Sequence, residues 1–99
     1  MNQDPSLEPY HSLFALPAEH TLVETRTQRV KQNGTVYETR WLDELDESRQ
    51  PVSHFRAWAN HSLQPPYRRQ SGWERYSPGG ALLDREIRYS QREDNDYVH

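Results

Sequence analysis

The chain has 99 residues, of which 32% are hydrophobic and 27% charged, with seven prolines, no cysteine and a net charge of −3. The absence of cysteine excludes a disulfide scaffold, a cysteine-ligated zinc site and a thiol nucleophile, and the acidic balance excludes a globally basic nucleic-acid binder. No apolar run approaches the roughly 18 to 20 residues of a membrane-spanning helix, so a soluble cytoplasmic protein with no membrane association is expected.

Residues 1–20 carry three prolines and no sustained hydrophobic period, which predicts an extended N-terminal arm. Tyr10, Leu13, Phe14 and Leu16 are too apolar to lie in water, so the SLFAL segment is expected to dock on the sheet of its own subunit or of a neighbour. Docking of the arm on another protein, as a linear motif, is the alternative.

Residues 21–90 read as one antiparallel β domain, a curved meander of about five strands forming a small open barrel or half-sandwich. Stretches rich in Val, Thr, Tyr and Trp alternate there with turn chemistry. Asn33-Gly34 is the strongest hairpin signal, because a two-residue type I′ turn needs positive φ at both positions. It pairs Arg29 with Glu38, Val30 with Tyr37, Arg26 with Trp41 and Leu22 with Leu45, but it also sets Glu24 against Asp43. A four-residue loop at 47–50 pairs Leu45 with Val52, Asp43 with His54, Leu42 with Phe55 and Trp41 with Arg56, which places Trp41 between two guanidinium groups. A two-residue loop at Gly79-Gly80 pairs Arg75 with Asp84, Glu74 with Arg85 and Tyr76 with Leu83. Segment 52–63 also fits a short helix, although its strand reading is preferred.

These registers predict that Leu22, Val30, Tyr37, Trp41, Leu45, Val52 and Trp58 form the more apolar face. Val36, Leu42, Phe55, Ala57 and Ala59 lie among charges on the other. Residues 64–72 read as a proline-stiffened polar loop, and 91–99 as a disordered tail. Leu, Ile, Val and Phe together number only 17, a fraction under the roughly 20% at which a chain struggles to build a core, so tryptophan and tyrosine must supply the missing apolar area.

No catalytic, cofactor or metal signature stands out, and no enzymatic activity is expected. The acids Asp43, Glu44, Asp46 and Glu47 lack the alternating ligands and central glycine of a calcium loop, and His54 is expected to pair with Asp43 on the sheet surface. The better lead is that the one basic segment, 47–76, is also the most aromatic. Arg56, Trp58, Tyr67, Arg68, Arg69, Trp73 and Arg75 combine planar cations with π-faces, the residue types that dominate protein interfaces. A small adaptor or regulatory protein is therefore expected, acting as a homodimer or by docking on another protein. A single-stranded nucleic-acid module stacking bases on Trp58 and Trp73 is an alternative disfavoured by the net charge. A small barrel holding an apolar ligand among Tyr37, Trp41 and Leu83 is another.

Overall fold

The structure, a computed structural model, describes residues 4–91. Five strands, β1 (Thr21–Gln32), β2 (Thr35–Leu45), β3 (Pro51–Ser62), β4 (Arg68–Tyr76) and β5 (Leu82–Gln91), form one antiparallel sheet in the order β1-β2-β3-β4-β5. The meander is borne out, and 52–63 is strand rather than helix. The sheet is open, with β1 and β5 at its two edges, so no barrel closes. Of the expected tail, Gln91 belongs to β5 and 92–99 lie outside the described residues. No helix among the described residues is long and apolar enough to cross a membrane.

The hairpin loops follow from residues that tolerate positive φ. Asn33 (φ 54°) and Gly34 (φ 78°) make the predicted two-residue turn. The other two tight loops each have three residues rather than the expected four and two. In both, the last loop residue adopts positive φ, Arg49 at 66° and Gly80 at 98°. In both, the flanking backbones close the loop, Asp46 N–H donating to Gln50 and Ser77 N–H to Ala81. This is the type I turn with a following left-handed residue. It shifts the register locally, so that Leu45 pairs with Pro51 and not Val52, and Tyr76 with Leu82 and not Leu83.

A bulge near Thr25 has the larger consequence. The Asn33-Gly34 register holds as far as Arg26 opposite Trp41, then shifts so that Glu24 lies opposite Leu42, Val23 opposite Asp43 and Leu22 opposite Glu44. The expected Glu24–Asp43 repulsion is thereby avoided, and a one-residue shift moves a side chain to the other face of the sheet. Leu22 consequently joins Leu42 and Phe55 in the core instead of lying with Tyr37 and Trp41.

The arm is folded, not extended. Pro5–Leu7 form a 3-10 turn and Glu8–Leu13 a short helix, α1. Asp4 caps the turn by accepting from Ser6 N–H, while Pro5 and Pro9 sit at helix-start positions, where a missing N–H costs nothing. Two of the three prolines that argue for an extended arm thus serve as helix starts. Ala15, at φ 55°, ends α1 and turns the chain back toward β1.

The arm packs on the sheet of its own chain, and the four residues expected to dock it are placed differently. Phe14 is buried, with Tyr10 and Leu16 packed at its side, whereas Leu13 remains 40% exposed and Leu7 is buried instead. The core comprises Leu7, Phe14, Leu22, Leu42, Phe55, Ala57 and Trp73. Phe14 stacks on Phe55 with ring centroids 3.9 Å apart and meets Trp73 edge-on at 5.1 Å. The face expected to be the poorer one is therefore the core face, because the arm supplies the apolar area that its own strands lack.

A buried polar tie fixes the arm's exit. Glu44, only 1% exposed, accepts from Ser53 Oγ, from Arg75 Nη2 at 3.3 Å and from His20 Nδ1 at 2.6 Å. His11 Nε2 meets the His20 carbonyl at 2.9 Å, so both histidines of the arm help hold its end against β2.

Candidate interaction face

Side chains alternate across a strand, so the registers line up rows of residues on the face away from the arm. One row runs Arg26, Trp41, Arg56, Glu74, Arg85 from β1 to β5. The next runs Gln28, Thr39, Trp58, Gly72, Ile87, and the third Val30, Tyr37, Asn60, Gln70, Tyr89. Unlike the core face, these rows have no helix packed on them among the described residues, and Tyr37, at 42% exposure, and Ile87, at 41%, stand open. Two adjoining depressions of about 450 and 600 Å³ share Tyr37, Asn60 and Gln70.

The charges of the first row are mutually committed. Glu74 is buried to 7% exposure and accepts from Arg56 Nη1 at 3.0 Å, from Arg85 Nε at 2.9 Å and from the Tyr76 hydroxyl at 2.6 Å. Arg56 also lies 4.8 Å above the Trp58 ring, and Arg26 lies 4.6 Å above Trp41. The expected sandwich of Trp41 between two arginines is thus divided: the register holds, but Arg56 turns along its own strand to Trp58. Beyond this row, His54 Nδ1 meets Asp43 at 2.6 Å, the pairing expected from the sequence.

Trp58 fits because its cross-strand partner has no side chain. A Cβ at Gly72 would come within 2.5 Å of Trp58 Cζ2 and 2.6 Å of the Glu86 carbonyl oxygen. The indole therefore lies on the β4 backbone, covering a glycine that would otherwise weaken the strand.

The hydrogen bond from Tyr76 holds the Glu74 carboxyl below its ordinary 4.5; burial opposes this, and Arg85 and Arg56 add to it. The same bond raises the Tyr76 hydroxyl above its ordinary 10.0. Because Glu74 has the lower value when folded, its stabilisation is complete above about pH 4.5 and fades as pH falls through the depressed value. Urea unfolding is expected to find Glu74→Gln less stable than the parent at neutral pH, with the gap narrowing below pH 4.5. A gap independent of pH would contradict the tie.

The seven residues expected to form one binding surface do not share a face. Arg56 and Trp58 lie on the open face. Tyr67 and Arg68 lie at the end of the sheet where β4 begins, and Arg68 lines the same depression as Tyr37. Trp73 is buried under the arm, and Arg75, on the same face, is tied to Glu44. Arg69 follows the alternation of Trp73 and Arg75, opposite His61. A contiguous basic and aromatic window in a strand is split in two by the period of the pleat.

The sequence reading missed Glu74, Arg85, Thr39 and Ile87 as members of the open face. The pairings of Trp41 with Arg56 and Glu74 with Arg85 were the available signal; chained across β3 and β4 they give the row directly.

The run Asp43, Glu44, Asp46, Glu47 is dispersed, with Asp43 on His54, Glu44 buried, and Asp46 accepting from the Ser48 and Gln50 N–H groups. No group of three or more metal-ligating side chains occurs among the described residues. Ser53, Glu44 and His20 meet, but the carboxylate stands between hydroxyl and imidazole, the reverse of the order in which a histidine activates a serine. The barrel of the alternative reading does not form, since the sheet is open and does not close around Tyr37, Trp41 and Leu83. Comparison with protein-family models, curated proteins and solved structures found no match to this chain.

Proposed function

We propose that this chain is a small non-enzymatic binding protein that acts through protein–protein contacts on the open face of its sheet. The adaptor or regulatory role in the cytoplasm expected from the sequence belongs to the same reading. The observation that carries it is the asymmetry of the two faces: the arm covers one, while on the other Tyr37 and Ile87 stand exposed beside the half-buried Trp41 and Trp58, with no helix or strand among the described residues packed over them. Aromatic and arginine side chains on a rigid sheet lose little freedom on binding and are the types that anchor interfaces.

Base stacking is less well supported. Trp73 is in the core, one side of Trp41 and of Trp58 is already covered by a guanidinium, and Arg56 and Arg85 are both paired with Glu74, which offsets one of their two charges.

A photo-crosslinking residue at Tyr37, and a control at exposed Leu13 on the arm, test the reading in the cells that produce the protein. Protein adducts are expected from position 37 and not from 13. An absence of protein adducts at 37, or adducts to nucleic acid there, would overturn it.

A further inference from the structure

We infer that the occupant of the open face is a second copy of this chain, packed sheet against sheet about a two-fold axis that runs across the strands through the Trp58 row. This rests on the binding role proposed for that face.

The area fits. Five strands about 4.8 Å apart, each roughly ten residues long at about 3.3 Å per residue, present a face of about 800 Å². A stable specific interface removes about that much from each partner. The edges offer a poorer route to pairing, because β1 carries Arg26, Arg29 and Lys31 and a bulge near Thr25, and β5 carries Asp84, Arg85 and Arg88.

The order of the rows selects the axis. Two sheets that face each other with their strands aligned are related by a two-fold lying in the interface plane, either along the strands or across them. An axis along the strands lays each row on itself in reverse order, so Arg56 meets Arg56 and Arg26 meets Arg85, which sets like charges against each other across the interface.

An axis across the strands, through the Gln28-Thr39-Trp58-Gly72-Ile87 row, lays the charged row on the uncharged one. Arg26 then faces Val30, Trp41 faces Tyr37, Arg56 faces Asn60, Glu74 faces Gln70 and Arg85 faces Tyr89. Each charge, already paired or stacked within its own subunit, meets an amide, an aromatic ring or an aliphatic side chain. Ile87 faces its own counterpart. Twisted sheets pack about 30° from alignment, so the opposition is closest in this central row.

Two measurements on the purified full-length chain test this. Sedimentation velocity is expected to give a dimer, and Ile87→Glu, which sets two carboxylates against each other at an exposed position, is expected to raise the dimer Kd by about 100-fold with an unchanged circular dichroism spectrum. Since the chain has no cysteine, Ile87→Cys introduces a single thiol. A short bismaleimide is expected to join it to its counterpart across sheets about 10 Å apart. Crosslinking only in a mixture of Ile87→Cys and Gln28→Cys would show the other axis and overturn the arrangement. A monomer at all concentrations, with Tyr37 adducts to a different protein, would overturn the second copy and leave the binding role standing. A monomer with no protein adducts would overturn both.

Discussion

Gly72→Ala is expected to destabilise the protein by about 2 kcal/mol and lower its Tm by roughly 10 °C. Alanine usually gains a few tenths of a kcal/mol over glycine by restricting the unfolded chain, and in a strand it should help further. Here the added methyl meets two groups that cannot both yield. Trp58 Cζ2, at 2.5 Å, belongs to a ring held by Arg56, and the Glu86 carbonyl oxygen, at 2.6 Å, belongs to the neighbouring strand. Relief requires Trp58 to swing off β4, releasing Arg56 from its stack and loosening the Glu74 tie. Thermal unfolding followed by circular dichroism checks the stability, and a red shift in tryptophan emission of the folded variant checks the displacement. A variant as stable as the parent would show that the indole does not lie on the β4 backbone.

Phe14→Ala is expected to cost more, about 3 to 5 kcal/mol, within the total of roughly 5 to 15 kcal/mol available to a domain of this size. The ring is stacked on Phe55 at 3.9 Å and edge-on to Trp73 at 5.1 Å, so its loss opens a cavity between arm and sheet. The aliphatic content is too low for the strands to refill that space with their own side chains. Partial release of the arm would expose Phe55 and Trp73, the largest apolar groups of the core face. Chemical denaturation at 25 °C measures the loss, and a change below about 1 kcal/mol would mean that the sheet is stable without its arm.

Features decided by neighbouring residues were legible in the sequence, whereas those decided by the other face of the sheet were not. Asn33-Gly34 specifies its turn because a two-residue type I′ turn needs positive φ at both positions, and the strand order follows from four short connections between consecutive strands. The Trp41–Arg56 and Glu74–Arg85 pairings match the expectation although both loops differ in length from it, because the register shifts at Glu44/Leu45 and Arg75/Tyr76 restore the alignment beyond each loop.

The bulge near Thr25 was not legible, although the conflict between Glu24 and Asp43 marked its neighbourhood. Its position is set by the burial of Leu22 beside Leu42 and Phe55, which requires knowing the face that the arm covers. The choice of covered face could not come from the strands alone. Tyr37, Trp41 and Trp58 make the other face look like the core, and only Leu7 and Phe14, delivered by a helix whose prolines disguise it, reverse the assignment. Trp73 shows the same dependence: its neighbours in sequence include Arg75 and Tyr76, but its neighbours in space are Phe14 and Phe55.

The open face was only half legible. Its tryptophans and Arg56 were named from composition, but the selection of a contiguous window brought in Trp73 and Arg75 from the opposite side. It also left out Ile87 and Arg85, which a short alternating strand hides among charges.

In the arrangement proposed, one face of the sheet is sealed by the arm and the other is an interface. Hydroxyl-radical footprinting of the full-length protein at high and at low concentration tests it most directly, because it reads side chains on both faces in one experiment. Phe14, Phe55 and Trp73 are expected to stay protected at both concentrations, while Tyr37, Trp58 and Ile87 gain reactivity on dilution as the dimer separates. Open-face residues equally reactive at both concentrations, or core-face residues that label first, would contradict it.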